Sequence, residues 1–524
     1  MTNILLITTD QQRWDHLGLA GLAGIETPNL DRLGREGRLF NRAYCPSPTC
    51  TPSRVSTLTG RYPSRHGSWS IGVNPELMQE KDSVAWRLRE SGYRTAMIGK
   101  AHFHNQNIEE SLVLGESERT KRPELKPTTD IPTDAWRKQH SFLGFDHLRL
   151  SMGHNIQQVP KMHYLAWLED QGATPGQIGE WFPFYAGKSF DAGKSMGVWD
   201  IPEQLHPTRW IGGETEAFIE SAGAGDAPWF CWSSLQDPHV PFVCPQPWFD
   251  KVEAAAMRLF ETAREGEFDD KPAFYKRVWE ARRGDWFGEE GWGPLYDSER
   301  RLPPACAFPN PYFEERAALA MQATLGMIAF IDDAVGKLLD KLDATRQMEN
   351  TLVVFTSDHG EYHGHHGFWG KGLPAYEDAQ RIPFLARGAG VRPGSKSEAL
   401  VSLVDLMPTF LEAAGAPVPP GVQGISLLPL FSGERESVRD AVLIEARAKA
   451  DALPQRTLVT DRHKLIVYGG TDEGELYDLQ QDPDQYENLW DRPEHTALQI
   501  ELLKLYARVS VENEGTVPPR TSFA

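Results

Sequence analysis

The stretch "NILLITTD", residues 3–10, is a nearly continuous run of strand-forming residues that stops at an acidic side chain. Apolar residues at consecutive positions, rather than alternate ones, are typical of a parallel-sheet strand that is buried on both faces. Asp10 ends the run and Gln11 follows it directly. Ligands of open α/β sheets bind beyond the carboxyl ends of the strands, so Asp10 and Gln11 are candidate residues of a binding or catalytic site.

Three other apolar runs end in the same way. They are "YRTAMIGKAH" (93–102), ending in Lys100 and His102, "PWFCWSSLQDPH" (228–239), ending in Asp237 and His239, and "TLVVFTSDHG" (351–360), ending in Asp358 and His359. A lone Asp or His after a strand is more often a turn residue. Four such strand ends in one chain favour a common site at one edge of the sheet.

Helical patterning separates these strands. Residues 314–342 carry apolar side chains at steps of three or four, which predicts one buried helical stripe made of Met321, Leu325, Ile328, Ile331, Val335, Leu338 and Leu342. Strands alternating with such helices predict an α/β fold with a large, mostly parallel central sheet that is covered on both faces.

The composition excludes several classes of partner. A formal net charge of −19 over 524 residues disfavours nucleic acids and anionic membrane surfaces. The N-terminal residues "MTNILLITTD" have no basic region and a short apolar run, so we expect no secretory signal, and we expect no stretch to reach the ~20 apolar residues of a membrane span. Five cysteines without framework spacing indicate a reduced compartment, so we expect a cytoplasmic protein. These features leave open whether the chain forms a homo-oligomer.

The segment "PSPTCTPSR", residues 46–54, places a cysteine at the start of a predicted helix. Pro52 suits the first helical position, and Arg54 lies one turn beyond Cys50. We expect the helix N-terminus and Arg54 to lower the thiol pKa, and the surrounding prolines to keep Cys50 out of the core. A redox pair with Cys45 is an alternative, although C-x₄-C is not the usual spacing.

The strand-end residues divide into two chemical groups. Candidate metal ligands are Asp10, Gln11, Asp358 and His359. Such a shell of oxygens with one imidazole suits Ca²⁺, Mg²⁺ or Mn²⁺ and leaves Zn²⁺ open. Candidate cations and proton donors are Lys100, His102, His239 and Lys371. This second group suits a small anionic ester whose charge is held while a leaving group departs.

The motif "CTPSR" (50–54) matches the C-x-P-x-R signature of the type I sulfatases, which belong to the alkaline phosphatase superfamily. Other segments resemble the same family in the same order: "LTGRYPSRHG" (58–67), "GYRTAMIGKAH" (92–102), "DPHVPF" (237–242), "TSDHGEYHGHHGFWGKG" (356–372), "RIPF" (381–384) and "GELYDLQQDPDQYENL" (474–489). The resemblance spans nearly the whole chain. It implies an alkaline phosphatase-like α/β/α sandwich with a smaller C-terminal α+β subdomain.

The resemblance also implies that Cys50 is a precursor. A formylglycine-generating enzyme would oxidise Cys50 to Cα-formylglycine, whose aldehyde hydrates to a geminal diol. One hydroxyl would attack sulfur, and the other would then lose its proton and expel sulfate, regenerating the aldehyde.

Roles carry over from the family position by position. Residue 50 would join Asp10, Gln11, Asp358 and His359 around one divalent metal, with Ca²⁺ favoured and Mn²⁺, Mg²⁺ or Zn²⁺ as alternatives. Arg54 would hold the diol, while Lys100 and His102 would contact the diol and the sulfate. His239 and Lys371 would lie near the bridging oxygen, with His239 the first choice for general acid.

The chain departs from the usual family pattern at two ligands. Gln11 stands where many sulfatases have a second Asp, and His359 where they have Asn; both replacements also occur in choline-sulfatase-like and phosphonate monoester hydrolase-like branches. A phosphonate monoester or phosphodiester hydrolase with the same formylglycine is therefore the main alternative. The Lys100–His102 pair favours sulfate monoesters. Asn74 is a candidate substrate contact, and a non-catalytic anion-binding scaffold is a remote alternative.

The remaining predictions concern organisation. We expect a catalytic domain over residues 1–430, with insertions outside the sheet near 105–210 and 250–310, and a C-terminal subdomain over 431–524. A hairpin of "KLIVY" (464–468) with "ELYDL" (475–479) and a terminal helix marked by Leu498, Leu502, Leu505 and Val509 would build that subdomain.

Two groups of side chains have competing interpretations. The insertion tryptophans would either form aromatic pocket walls or pack the insertions themselves; they are Trp136, Trp167, Trp181, Trp199, Trp210, Trp279, Trp286 and Trp292. The loop histidines His363, His365 and His366 are expected to be solvated near the cleft, with a separate zinc on His363 and His366 as the alternative.

Overall fold

Four adjacent parallel strands form the middle of the structure, and they are the four that the sequence predicts. The computed structural model describes residues 1–70, 79–103, 142–151, 162–183, 196–254, 257, 259–261, 263–276, 307–308, 316–447 and 453–514. In chain order the strands are β1 (Asn3–Thr9), β2 (Arg38–Phe40), β3 (Ala43–Tyr44), β4 (Arg94–Gly99), β5 (His147–Leu150), β6 (Met196–Val198), β7 (Trp229–Ser234), β8 (Phe242–Cys244), β9 (Ala307–Phe308), β10 (Thr351–Ser357), β11 (Trp369–Gly370), β12 (Arg381–Ile382), β13 (Phe384–Gly388), β14 (Ser395–Ser397), β15 (Val401–Ser402), β16 (Val442–Ala446), β17 (Gln455–Val459), β18 (His463–Tyr468) and β19 (Gly474–Asp478).

Helices cover the sheet and connect its strands. In chain order the α-helices of the described residues are α1 (Pro28–Glu36), α2 (Cys50–Thr59), α3 (Pro63–His66), α4 (Val84–Glu90), α5 (Met162–Asp170), α6 (Pro175–Trp181), α7 (Pro207–Gly223), α8 (Gln246–Phe249), α9 (Ala317–Ala344), α10 (Glu377–Gln380), α11 (Leu406–Ala413), α12 (Leu428–Ser432) and α13 (Thr496–Glu512).

The central sheet has eight strands in the order β14-β2-β13-β10-β1-β7-β4-β5. Every neighbouring pair is parallel except the two that β13 makes, with β10 and with β2. The mostly parallel α/β sheet is therefore confirmed. One expectation is wrong: β5 falls inside the predicted 105–210 insertion, yet it pairs with β4 and extends the sheet.

Burial on both faces explains why the β1 sequence is continuously apolar. Ile4 and Leu6 pack into one hydrophobic cluster, whereas Leu5 and Ile7 pack into another. Successive side chains of a strand point to opposite faces, so both faces of β1 are covered. Each of these buried side chains contributes on the order of 1.5–3 kcal/mol to the free energy of folding.

The predicted long helix is α9, and all seven residues of its predicted stripe are buried. It packs against α7 and α1. By length and composition α9 could cross a membrane, which corrects the expectation that no stretch is long and apolar enough. However, 72% of its most apolar window is buried inside the fold, which is the environment of a core helix.

The C-terminal part contains an antiparallel sheet in the order β16-β17-β18-β19. The predicted hairpin is confirmed as β18 and β19, whereas β16 and β17 are additional strands that the sequence did not indicate. Helix α13 is the predicted terminal helix, and Leu502 packs with Leu465 and Leu476 of this sheet. The domain boundary near residue 430 stays a prediction.

Candidate active site and metal centre

The carboxyl ends of the four central strands bring the predicted site residues to one edge of the sheet. Strands β10, β1, β7 and β4 are consecutive and parallel, so the loops that leave them start side by side. Backbone hydrogen bonds continue the strands into these loops, with Asp358 N donating to Thr9 O (3.2 Å) and Asp10 N to Asp237 O (3.2 Å). The predicted convergence of the strand ends on one site is observed.

Helix α2 presents Cys50 to this edge. The helix begins at Cys50 itself, after the extended residue Thr49, so Pro52 is its third residue and not its first as expected. A proline at the third position still costs the helix no hydrogen bond, because the N–H groups of the first turn have no partner inside a helix. Ser53 Oγ donates to Asp358 O (2.6 Å), which ties the first turn to the loop after β10.

Two expectations about Cys50 are wrong. Its side chain is fully buried. Burial, reinforced by Asp10, raises the pKa of the thiol to about 11, and the opposing charges of Lys371 and Lys100 do not compensate. The prolines around Cys50 predict a turn, but that turn is packed inside the protein. The thiol is therefore protonated at neutral pH.

The site contains a compact set of metal-ligand atoms. Cys50 Sγ lies 3.1 Å from His359 Nε2 and 3.6 Å from Asp10 Oδ1. His359 Nε2 lies 3.6 Å from a carboxylate oxygen of each of Asp10 and Asp358. One ligand atom from each of these four buried residues lies within 4.8 Å of the others.

A divalent cation fits this donor set. Gln11 Oε1 is buried and accepts no hydrogen bond from the described residues. A bound cation would give this buried oxygen the partner that it lacks. Two carboxylates, one amide oxygen and one imidazole match the ligands of Ca²⁺, Mg²⁺ and Mn²⁺, and do not exclude Zn²⁺.

Cations form ion pairs with the carboxylates of the ligand set. Arg54 Nε donates to Asp358 Oδ2 (2.8 Å), and one of its terminal nitrogens donates to Ser234 Oγ (2.7 Å). The Lys100 ammonium forms an ion pair with Asp10. Arg54 therefore forms its ion pair with a carboxylate, and burial remains the largest influence on the thiol pKa.

Lys371 and His239 form a hydrogen-bonded pair beside Cys50. Lys371 Nζ donates to Cys50 Sγ (2.8 Å) and lies 2.8 Å from His239 Nε2. His239 Nδ1 lies 2.5 Å from the Val240 carbonyl oxygen. Since a carbonyl only accepts, Nδ1 carries the ring proton and Nε2 accepts from Lys371.

Neighbouring charges or burial lower the pKa values of one carboxyl group and three histidines in the site. Burial alone would raise the pKa of Asp10, but the surrounding charges, that of Lys100 first, lower it well below its usual value. Burial and the Lys371 charge lower the pKa of His239 well below its usual value, and burial with Lys100 does the same for His102. Burial lowers the pKa of His359 to about 4, so its imidazole is neutral, the form that binds metals.

The sequence interpretation missed one buried carboxyl group, that of Glu361. It accepts a hydrogen bond from the Gln11 side-chain nitrogen, and others from the backbone nitrogens of His363 (3.1 Å) and Gly370 (2.5 Å). Burial raises the pKa of Glu361 to about 7, although these hydrogen bonds act to lower it. An acid two residues after His359 was the only signal in the sequence.

Two predicted substrate contacts remain, His102 and Asn74, and only His102 lies in the part of the chain that the structure describes. His102 is buried near Lys100 and Arg54, and its backbone has a φ of +55°, in the left-handed region. Asn74 lies outside the described residues. A contact of Asn74 with substrate therefore stays a prediction.

The loop histidines are buried, so the expectation that they are solvated is wrong. His366 Nδ1 lies 2.5 Å from Glu267 Oε1, and His365 Nδ1 lies 3.0 Å from Asp378 Oδ2. Asp378 also accepts a hydrogen bond from Arg13 (2.5 Å). Carboxylates therefore contact the rings of His365 and His366.

We expect an Asp378→Asn substitution to destabilise the fold. Burial alone would raise the pKa of Asp378, but His365 and Arg13 lower it far below its usual value. Removing one partner of a buried ion pair typically costs about 3–5 kcal/mol. Because the folded-state pKa of Asp378 is lowered, its contribution is present above the unfolded-state pKa and is lost as pH falls.

Urea unfolding at neutral pH measures this difference. The matched control is Asp340→Asn, because Asp340 also pairs with an arginine, Arg32, but is 67% exposed. Exposed pairs contribute about 0–1 kcal/mol. Equal losses in the two variants would contradict the assigned role of Asp378.

Four described tryptophans of the first insertion pack into the hydrophobic cluster that also contains Leu5 and Ile7 of β1. Trp199 and Trp210 are buried in the same hydrophobic cluster, and Trp167 and Trp181 pack against it. This supports the packing interpretation over aromatic pocket walls for these four. The other four, Trp136, Trp279, Trp286 and Trp292, lie outside the described residues.

Known proteins resemble this chain over its whole length. An arylsulfatase from Clostridium perfringens is 28% identical over 508 residues, covering 94% of this chain and 91% of that protein. A choline-sulfatase from Rhizobium meliloti is 26% identical over 509 residues, covering 94% and 83%. The crystal structure of a phosphonate monoester hydrolase from Agrobacterium radiobacter superposes with a TM-score of 0.75 at 22% identity, covering 99% and 100%. The alkaline phosphatase-like fold is thereby confirmed.

Family models describe both parts of the chain. The model of the N-sulphoglucosamine sulphohydrolase C-terminal region matches residues 364–512. The sulfatase model matches residues 2–416, which include every candidate catalytic and metal-binding residue. Since that match covers well over half of the sequence, the chain belongs to the sulfatase family.

Proposed function

We propose that the protein hydrolyses aryl or small alkyl sulfate monoesters and releases inorganic sulfate. The observation that carries this proposal is that residue 50 contacts two kinds of group. Cys50 Sγ lies close to the ligand atoms of His359 and Asp10, and it also accepts a hydrogen bond from the Lys371 ammonium. A nucleophile at this position would attack an ester whose anionic charge is held by cations.

The nucleophile in this proposal is Cα-formylglycine made from Cys50. A buried thiol with a pKa of about 11 is a poor nucleophile at neutral pH, because the thiolate is the reactive form. Oxidation replaces the thiol sulfur and two hydrogens by one aldehyde oxygen, and the maturation enzyme supplies the oxidant. Since Cys50 is fully buried, this conversion would precede the completion of folding.

The ligands of one divalent metal would be Asp10, Gln11, Asp358, His359 and residue 50. Ca²⁺ is favoured for its oxygen-rich shell, with Mn²⁺, Mg²⁺ and Zn²⁺ as alternatives. When present, the metal supplies positive charge and the aldehyde hydrate supplies the attacking hydroxyl.

The cations of the chain bind and orient the sulfate group. Arg54 holds Asp358 through a 2.8 Å hydrogen bond and so fixes a carboxylate ligand. Lys100 pairs with Asp10, and we propose that with His102 it donates to the non-bridging oxygens of the ester. Buried donors in a water-poor site interact with such charge far more strongly than they would in water.

Protonation of the leaving oxygen involves Lys371 and His239 together. The sequence favours His239 as the general acid, but its Nε2 accepts a hydrogen bond and carries no proton to give. We propose that the Lys371 ammonium donates the proton and that His239 orients it. His239 keeps its tautomer because Nδ1 donates to the Val240 carbonyl.

Phosphonate monoester and phosphodiester hydrolysis is the second candidate function. It is supported by Gln11 and His359, which leave two carboxylates in the ligand set. A Trinickia caryophylli relative, 28% identical over 525 residues, is described as a multifunctional alkaline phosphatase superfamily protein. The two candidate functions share every residue assigned above.

Matched aryl sulfate and aryl phosphonate monoesters distinguish the two functions. Both carry one negative charge, but a sulfate offers three non-bridging oxygens and a phosphonate monoester two. A buried donor left unpaired costs about 1–3 kcal/mol, which is roughly a 5–150-fold difference in rate. We therefore expect kcat/KM to be about 5–150-fold higher for the sulfate. A tenfold preference for the phosphonate would overturn the first proposal in favour of the second.

A further inference from the structure

The buried carboxyl group of Glu361 extends the metal site, and this inference rests on the metal site of the proposed function. We propose that Glu361 is a positioning residue that fixes the Gln11 amide with its oxygen toward the metal. Its negative charge would act through that amide and partly replace the carboxylate that Gln11 lacks as a ligand.

Glu361 is surrounded by donors. Its Oε2 accepts from Gln11 Nε2, and its Oε1 accepts from the backbone nitrogens of His363 (3.1 Å) and Gly370 (2.5 Å). The residue is 1% exposed. An ionised carboxylate accepts hydrogen bonds and cannot donate them, which matches this set of three N–H groups.

This hydrogen bond decides which way the Gln11 amide faces. In the structure the amide nitrogen of Gln11 faces Glu361, as it would an ionised carboxylate, and the amide oxygen faces away from it. That oxygen, Gln11 Oε1, is buried and accepts no hydrogen bond from the part of the chain that the structure describes. A buried acceptor without a partner costs about 1–3 kcal/mol, and a cation at the ligand set would remove this cost.

The backbone of Gln11 also places it at the ligand set. Its φ of +67° lies in the left-handed region, which non-glycine residues rarely adopt without a reason. In this conformation Gln11 N donates to Asp358 Oδ1 (3.1 Å), a proposed ligand atom. The strained backbone and Glu361 therefore hold the main chain and the side chain of Gln11 separately.

Charge from Glu361 compensates for a neutral ligand. Asp10 and Asp358 are the carboxylates of the proposed shell, whereas Gln11 and His359 are neutral. A hydrogen bond from an amide N–H to a carboxylate increases the negative partial charge on the amide oxygen. Outer partners of this kind orient metal ligands and increase their basicity.

Metal affinity in the wild type and in five full-length variants tests the inference. Ca²⁺ and Mn²⁺ are titrated separately into chelator-stripped protein, with thermal unfolding as a check of the fold. Glu361→Gln is expected to weaken binding by about 10–100-fold, because two amide nitrogens would face each other and Gln11 would turn its oxygen away from the metal. In Gln11→Glu, two buried carboxylates repel each other.

The exchanged pair Gln11→Glu/Glu361→Gln should restore binding to at least the wild-type affinity. The glutamine introduced at position 361 can donate to the new carboxylate and still accept from His363 and Gly370. The hydrogen bond is then reversed, and the full negative charge lies on the ligand itself.

A double-mutant cycle separates this role from a structural one. Without the amide, in Gln11→Ala, the further Glu361→Gln change should alter the metal affinity less than about twofold. An equal loss in both backgrounds, or a single Glu361→Gln variant with wild-type affinity, would overturn the inference and leave the metal site in place. A folded wild-type protein that binds neither cation would overturn the metal site and the inference together.

Discussion

A Cys50→Ala variant is expected to fold and to lose turnover of aryl sulfates by about 10⁴-fold or more, the scale on which removing a catalytic nucleophile acts. Cys50 occupies the first position of α2, where alanine is at least as compatible with a helix. The substitution removes the thiol whose oxidation converts the Cβ of residue 50 into the aldehyde carbon. Binding of substrate by Lys100 and Lys371 does not replace a missing nucleophile.

Turnover and intact mass together check this prediction, in protein from a host that carries the maturation enzyme. The matched control is Cys231→Ala, because Cys231 is also fully buried but lies within β7, away from the ligand set. We expect the control to keep turnover within a few-fold of the wild type. The wild type should show the loss of sulfur and two hydrogens and the gain of one oxygen, and Cys50→Ala should not. Wild-type turnover in Cys50→Ala, or an unmodified thiol in active wild type, would contradict the proposal.

The strand ends are predictable from the sequence because their signals are local. Each strand is a short apolar run, and the chemistry-bearing side chain is the next ionisable residue, so Asp10 and Asp358 can be identified without contacts. Parallel pairing then brings the ends together. The same local reasoning predicts α9 and the β18–β19 hairpin.

The environment of Cys50 was not predictable in this way. A helix N-terminus and a nearby arginine argue for a low pKa only when the thiol is solvated and the arginine is available. The fold buries the thiol, and Arg54 is bound to Asp358, which lies 304 positions away in sequence. Long-range packing therefore reverses the sign of the pKa shift.

Distance along the chain also hid the supporting residues. Glu361 contacts Gln11 across 350 positions, and His366 contacts Glu267 across 99. Nothing local to the loop "HGHHG" (363–367) distinguishes solvated histidines from histidines paired with distant carboxylates. Strand β5 has only 4 residues, too few for a periodic signal.

Replacing Lys371 by alanine is expected to lower kcat/KM by about 10²–10⁴-fold for alkyl sulfates, the range that general acid catalysis contributes. An alkoxide is a poor leaving group and needs a proton in the transition state. Esters of acidic phenols leave without that help, so their rates should fall much less. The logarithm of kcat/KM plotted against leaving-group pKa should therefore become steeper in Lys371→Ala.

The leaving-group dependence is needed because Lys371 also donates to Cys50 Sγ. If Lys371 only positioned residue 50, every ester would lose the same factor and the slope would not change. The slope thus separates proton donation from positioning within one series of substrates.

A His239→Gln variant decides which member of the pair carries the proton. A glutamine oxygen can accept from Lys371 as His239 Nε2 does, but a glutamine cannot act as an acid at neutral pH. If Lys371 is the acid, this variant should lose activity moderately and keep the wild-type slope. A steep slope in His239→Gln, with a wild-type slope in Lys371→Ala, would return the general acid role to His239.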